Sequence, residues 1–143
     1  MSSFAQRAVT LSKIGYAPAP GTMATLVTLP LVILISRFSL DYLIILAATI
    51  GIGFALVRAS LPFFDKKDPH EIVIDEVVGC LVTFYGIALT STTLCAGFIL
   101  FRILDICKPS FIGRTERLPG VWGIMLDDIV AGVVANIVLR LLF

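Results

Sequence analysis

Apolar residues are gathered along the chain into five blocks that short polar segments separate. The blocks cover about residues 23–38, 42–57, 72–89, 94–106 and 123–143. A helix needs roughly 20 residues to cross the hydrocarbon layer of a bilayer, and several blocks reach that length only with their polar flanks. We therefore predict an all-α, polytopic integral membrane helix bundle of about five membrane helices, some short or tilted, in a single domain over residues 1–143.

The N-terminal region differs from these blocks. In residues 1–14, Phe4, Ala8 and Leu11 recur at helical spacing, which is typical of a short interfacial helix. A frayed terminus explains the same pattern equally well. Residues 15–25 contain two prolines and two glycines, which exclude a regular helix at the start of this loop.

The composition indicates lipid as the surrounding solvent. The chain is 58% hydrophobic, with a mean hydropathy of +1.02, whereas a soluble domain is about 45–50% apolar. The net charge of +1 gives no reason to expect a nucleic-acid partner. Three cysteines fit neither a zinc template nor a disulfide framework, so we interpret them as packing residues.

Basic residues predict the orientation in the membrane. If five helices cross, one face holds Arg7, Lys13, Arg58, Lys66, Lys67, Lys108, Arg114 and Arg117. The opposite face holds Arg37 and Arg140. Because positive loops stay inside, the N-terminus is predicted to be cytoplasmic. Because each predicted helix carries the chain to the other face, the same count places four segments together on the N-terminal face. They are the loop 15–25, the segments 65–76 and 102–114, and the pair Asp127–Asp128.

Most acidic residues of the chain fall at this predicted cytoplasmic side. They are Asp68, Glu71, Asp75, Glu76, Asp105, Asp127 and Asp128. Ionisable groups at membrane depth are costly and mark functional sites by default. Carboxylates crowded at one interface repel each other, and a hard cation such as Mg²⁺, which prefers oxygen ligands, would relieve that repulsion. Arg102, Lys108 and the hydroxyls of Thr22 and Thr25 suit the oxygens of a phosphate.

Each of these features also has a structural interpretation. Asp127–Asp128 could open the last helix as a charge pair that complements its dipole. Asp75 could form a salt bridge with Lys108, and Arg102 could extend towards lipid headgroups. By themselves, the residues indicate a metal and an anion near the membrane and do not select hydrolysis.

Four motifs in order resemble one known family. They are Asp68–Gly79 (DPHEIVIDEVVG, like DPxxIVxDExxG), Arg102–Pro109 (RILDICKP, like RxFDIxKP), Gly123–Gly132 (GIMLDDIVAG, like GxMxDDxxAG) and Pro20–Thr22 (PGT). This set resembles the phosphatidylglycerophosphatase A family from about residue 12 to the C-terminus. Departures from the family pattern, such as Ala24 and Leu104, leave the carboxylates, Lys108 and Thr22 in place.

The resemblance implies a Mg²⁺-dependent enzyme of the bacterial inner membrane. It would hydrolyse phosphatidylglycerophosphate to phosphatidylglycerol and inorganic phosphate. We assign metal binding to Asp75, Glu76, Asp127 and Asp128, catalysis to Asp68, Glu71, Asp75, Asp105 and Asp127, and substrate binding to Thr22, Thr25, Arg102 and Lys108. Attack by water and a covalent aspartyl-phosphate both remain open, as does the oligomeric state.

Two other functions remain as alternatives. A small membrane cation transporter or channel subunit could use the same carboxylates. Such a protein is expected to carry them near the middle of the bilayer on several helices, whereas here they cluster at one end. A non-catalytic membrane assembly protein would leave the acidic residues unexplained.

Overall fold

The computed structural model describes residues 4–38, 41–65 and 69–143, and those residues form helices joined by short loops, with no strand. The helices are α1 (Phe4–Val9), α2 (Pro20–Arg37), α3 (Tyr42–Ser60), α4 (Ile74–Phe84), α5 (Ser91–Cys107), α6 (Ser110–Glu116) and α7 (Val121–Leu142). Single 3₁₀ turns lie at Ile14–Tyr16 and Leu61–Phe63. The all-α prediction is confirmed, and each apolar block overlaps one of the five longest helices. The short helix α6 was not predicted.

The prediction of five membrane helices is not confirmed. Two stretches, Pro20–Arg37 and Tyr42–Phe63, are long and apolar enough to cross a bilayer, and most of their residues are not buried within the bundle. By contrast, α4 has 11 residues, or about 16 Å at 1.5 Å per residue, which is short of a hydrocarbon layer of about 30 Å. The predicted block 72–89 gives so short a helix because the backbone leaves helical geometry at Tyr85 and Gly86 has a φ of +67°.

The short helix α4 lies at the centre of the bundle. Seven of its residues are buried: Val77, Val78, Gly79, Cys80, Leu81, Thr83 and Phe84. It packs most extensively against α7 and also against α2, α3 and α5. After its first turn this helix is apolar and carries small residues, so it can be surrounded by other helices in this way. The first turn of α4 is therefore held within the bundle and not on its outside.

Two glycines let α4 and α7 cross in close contact. A Cβ atom on Gly132 would lie 2.5 Å from the carbonyl oxygen of Gly79 and 3.1 Å from Cβ of Val82. A Cβ atom on Gly79 would lie 2.8 Å from the carbonyl oxygen of Asp128. The two helices run in the same direction here, since Gly79 faces Asp128 and Gly132 faces Val82. The residues one turn before each glycine therefore lie side by side.

The other end of this helix pair is joined by side-chain hydrogen bonds. The amide of Asn136 donates to the carbonyl oxygens of Thr83 (2.9 Å) and Tyr85 (2.8 Å). Arg140 donates to Tyr85 O (2.8 Å) and to the side-chain oxygen of Asn136 (2.8 Å). These bonds satisfy carbonyl groups that the end of α4 leaves without helical partners. They hold α7 in register along α4.

The N-terminal segment forms helix α1, which packs against α3. Val9 is fully buried, and its carbonyl oxygen accepts a hydrogen bond from the Val73 amide (2.9 Å). Gly15 lies so close to the Glu71 carbonyl oxygen that a Cβ atom there would overlap with it. From Phe4 onwards, the described part of this segment thus packs against the residues that lead into α4, which does not agree with a frayed segment there.

We expect Gly132→Ala to destabilise the protein, because its methyl group would meet the backbone of α4 and the two helices would have to move apart. Overpacking of this kind costs about 1–3 kcal/mol, which thermal unfolding in detergent would show as a lower Tm. Gly51→Ala is the control, since no atom lies within 4 Å of a Cβ at that position. Equal melting temperatures for the two variants would contradict the close crossing.

Candidate active site

One cavity of about 610 Å³ lies where α2 and α4 begin and α5 ends. Among the predicted site residues, those that line it are Thr22, Asp75, Glu76, Arg102, Asp105, Lys108, Asp127 and Asp128. Four segments that are distant in sequence meet here, as we predicted when we placed them on the same face of the helix bundle. His70 and Glu116 also line this cavity.

The crossing of α4 and α7 brings the acidic side chains together. Asp75 and Glu76 lie in the first turn of α4, where the helix dipole favours negative charge. Asp127 and Asp128 do not open the last helix, since α7 begins at Val121 and places them in its second turn. The dipole therefore does not account for this pair. Asp128 instead lies one turn before Gly132, at the closest approach of α7 to α4.

The carboxylates form two groups that share one member. Asp75, Glu76 and Asp128 each offer an oxygen within 4.8 Å of the others, and so do Asp105, Asp127 and Asp128. Both groups have the oxygen ligands that a hard divalent cation prefers. An acidic cluster of this kind could hold a metal ion.

The burial of these carboxylates supports the fit to a cation. Asp128 is 3% exposed, and no N–H group of the described residues donates to its carboxylate. Atom Oε2 of Glu76 is buried without a hydrogen-bond partner among those residues. A buried charge without a partner is strongly unfavourable. A cation bound between α4 and α7 would supply the missing partner for that Glu76 oxygen and would balance the negative charge of Asp128.

Two basic side chains lie against the second acidic group. Arg102 Nη1 is 2.7 Å from Asp105 Oδ2, and Lys108 Nζ is 2.6 Å from Asp127 Oδ2 and 3.2 Å from Glu116 Oε1. Lys108 therefore does not form the salt bridge with Asp75 that the sequence left open. Although partial burial opposes its charge, the hydrogen bond and negative charge of Asp127, with Glu116, raise the pKa of Lys108 above its usual value. The lysine is held in its charged form.

The backbone of Lys108 is also unusual. This residue caps α5 in the left-handed region, at φ 41° and ψ 66°, where residues with a side chain are strained and glycine is favoured. The turn reverses the chain between α5 and α6 and directs the lysine to Asp127. This strained turn places Lys108 in the lining of the cavity.

The first turn of α2 forms another wall. The chain enters it through Ala19, at φ 51°, and Pro20 is the first helical residue. Amide groups in a first helical turn have no partner within the helix and suit an anion. Gly21 approaches the cavity so closely that a Cβ atom would overlap Oε1 of Glu76 and lie 3.1 Å from both terminal nitrogens of Arg102.

Two predicted site residues of the described part of the chain lie outside this cavity. Thr25 is fully buried outside the cavity, where its hydroxyl donates to the Gly21 carbonyl oxygen (2.8 Å) because a threonine inside a helix bonds to the preceding turn. Glu71 precedes α4 and lines a separate cavity of about 220 Å³ with Tyr16 and Asp65. Asp68 lies outside the described residues.

Sequence reasoning missed Glu116. It stands in the segment Arg114–Arg117, which reads as an exposed basic loop, and only the turn at Lys108 and the helix α6 bring it back to the cavity. The residues around Glu116 give no sequence signal that this side chain lines the cavity. The Lys-Pro dipeptide marks a turn without showing its direction.

A family model for phosphatidylglycerophosphatase A matches residues 8–143. The chain belongs to this family. A phosphatidylglycerophosphatase A of Escherichia coli is 35% identical over 125 residues, which are 85% of this chain and 73% of that protein. One of Haemophilus influenzae is 37% identical over 125 residues, 85% and 77% of the two chains.

A relative with another description is also similar to this chain. It is a putative phosphatidylinositol-3-phosphatase of Bacteroides thetaiotaomicron, 30% identical over 135 residues, or 87% of this chain and 84% of the relative. No solved structure matches the chain. The family is named for a phosphatase, which makes this chain a phosphatase of that family.

We expect Gly21→Ala to weaken divalent cation binding by about tenfold with little loss of thermal stability. The added methyl group would displace the flexible end of Glu76, so the carboxylate moves while the helices stay in place. Titration with Mn²⁺ in detergent, followed by calorimetry, measures the affinity, and Gly51→Ala serves again as the control. An unchanged affinity would mean that the position of Glu76 is not needed.

Proposed function

We propose that this protein removes the terminal phosphate of phosphatidylglycerophosphate, in a Mg²⁺-dependent reaction, at the cytoplasmic face of the bacterial inner membrane. Water is consumed, and phosphatidylglycerol and inorganic phosphate are released, as a step of phosphatidylglycerol and cardiolipin synthesis. One observation carries the proposal: a single cavity is lined by acidic side chains, among them Glu76 with a buried oxygen that has no partner in the described residues, and by two basic side chains. Membership of the family and two stretches long enough to span a membrane support a lipid substrate.

The metal ligands in this proposal are Asp75, Glu76, Asp127 and Asp128. Bound Mg²⁺ would neutralise phosphate charge, orient water and stabilise the leaving oxygen. Asp128 lies at the centre of the set because it belongs to both carboxylate groups. Glu76 contributes a buried oxygen that has no other partner among the described residues.

Basic and hydrogen-bonding groups of the chain hold the phosphate. The first-turn amides of α2 and the hydroxyl of Thr22 donate to its oxygens. Lys108 contributes a charge-assisted hydrogen bond. Arg102 has a buried Nε without a partner among the described residues and adds positive charge beside Asp105. These donors line the same cavity as the metal ligands, and Lys108 touches one of them, Asp127, so the phosphate would bind directly beside the metal.

Asp105 and Asp127 act close to the reacting phosphorus. Each carries an ion pair that holds one carboxylate oxygen in place. The attacking oxygen comes from water or from one of these carboxylates, and the glycerol oxygen leaves. The carboxylate route forms a phosphorylated protein that rapid acid quench would trap.

We expect Asp75→Asn and Asp127→Asn each to lower phosphate release from phosphatidylglycerophosphate by at least about 100-fold, because each removes a charged oxygen from the site. Release of inorganic phosphate in detergent micelles, with and without EDTA, measures this. Cys95→Ser is the control, since this exposed cysteine lies on α5 away from the cavity. Near wild-type rates in both aspartate variants would refute the assignment.

The same assay separates the other functions. A cation transporter or channel subunit would release no phosphate and would instead carry cations across a liposome membrane; the relatives of this chain do not favour it. Phosphatidylinositol 3-phosphate is the second lipid to assay because of the description of the Bacteroides relative. Faster release from that lipid than from phosphatidylglycerophosphate would overturn the proposed substrate.

A further inference from the structure

The two carboxylate groups of the cavity differ in their surroundings. Asp75, Glu76 and Asp128 form no salt bridge within the part of the chain that the structure describes. In the other group, Asp105 is paired with Arg102 and Asp127 with Lys108. Two of the three carboxylates in that second group are therefore already neutralised by contacts of 2.6–2.7 Å.

We infer that the cavity has two cation positions of unequal affinity that share Asp128. The first position, at Asp75, Glu76 and Asp128, binds a divalent cation on its own. The second, at Asp105, Asp127 and Asp128, is blocked by Arg102 and Lys108 until a phosphate binds. The inference deepens the proposed function and rests on it for the role of phosphate.

Burial shows why the first position needs its own cation. Asp128 is 3% exposed and receives no hydrogen bond from an N–H group of the described residues. Glu76 Oε2 is likewise buried without a partner there. Three carboxylates that form no salt bridge with a described residue make a strongly negative site, although the guanidinium group of Arg102 lies near Glu76, and the attraction of such a site for a divalent ion is large. Such a position fills at low cation concentration.

Charge also shows why the second position stays weak. A divalent ion there would have to approach ligands that already touch an ammonium and a guanidinium group, and like charges at that distance repel strongly. A phosphate that enters the cavity changes this balance. It accepts the hydrogen bond of Lys108, frees Asp127 as a ligand and adds negative charge of its own. Phosphate and the second cation therefore bind together.

Titration with Mn²⁺ in detergent tests this without turnover, because the electron paramagnetic resonance of Mn²⁺ counts free and bound ions. Wild-type protein is expected to bind one ion tightly and a second at least about tenfold more weakly. Asp75→Asn should lose the tight site. Lys108→Met removes the ion-pair partner of Asp127, so this variant should bind two Mn²⁺ ions tightly. Because both ions would share Asp128, their spectrum should be that of two magnetically coupled ions.

Two control variants test whether the effect of Lys108→Met comes from the loss of positive charge inside the cavity. Lys108→Arg retains the positive charge and should bind one ion tightly, as wild type does. Arg114→Met removes an exposed cation of α6 that forms no salt bridge with a described residue and does not line the cavity, so it too should bind one. If Lys108→Met does not fold, Arg102→Met unpairs Asp105 and should give the same gain.

Inorganic phosphate provides the last part of the test. It should tighten the second site of the wild-type protein at least about tenfold and have a smaller effect on Lys108→Met. Two equally tight sites in wild type, or no gain in Lys108→Met and Arg102→Met, would overturn the inference. Phosphate release from the lipid is assayed separately, so a protein with one tight ion but no hydrolysis would overturn the proposed function alone.

Discussion

The close crossing of α4 and α7 is the contact on which the rest of the site depends. Gly79 and Gly132 let two backbones meet with no side chain between them. Each glycine stands one turn after an acidic residue, so the contact of the backbones is also the contact of Asp75 with Asp128. The packing that stabilises the bundle and the crowding of the carboxylates thus have one cause.

The crowded charges are balanced in two ways. On one side, Arg102 and Lys108 neutralise Asp105 and Asp127 directly. On the other side, Asp75, Glu76 and Asp128 lack such partners, and a cation is the chemistry that fits them. The short length of α4 belongs to the same arrangement. It lets the polar first turn lie inside the bundle, close to the loop before α2, and not at the outer surface of a long spanning helix.

Much of the site was predictable because a charged residue next to a long apolar segment is energetically costly and therefore marks a functional or paired group. Few charged residues occur in this chain, and those near apolar blocks had to be functional or paired. The helices at α2, α3, α5 and α7 follow the apolar blocks closely. The extent of α4 was not predictable, since residues 85–89 are apolar enough to continue a helix. Their conformation is set by Asn136 and Arg140, more than fifty residues later in sequence.

The sequence by itself determined the helical class, the family and the gathering of acidic and basic residues towards one end of the bundle. Only the tertiary structure decided which charges pair. Lys108 bonds to Asp127 and Glu116, Arg102 bonds to Asp105, and Thr25 and Glu71 lie outside the cavity. The physical reason is that hydropathy and motif spacing act along the chain, whereas an ion pair depends on how helices cross and how a turn such as that at Lys108 directs its side chain.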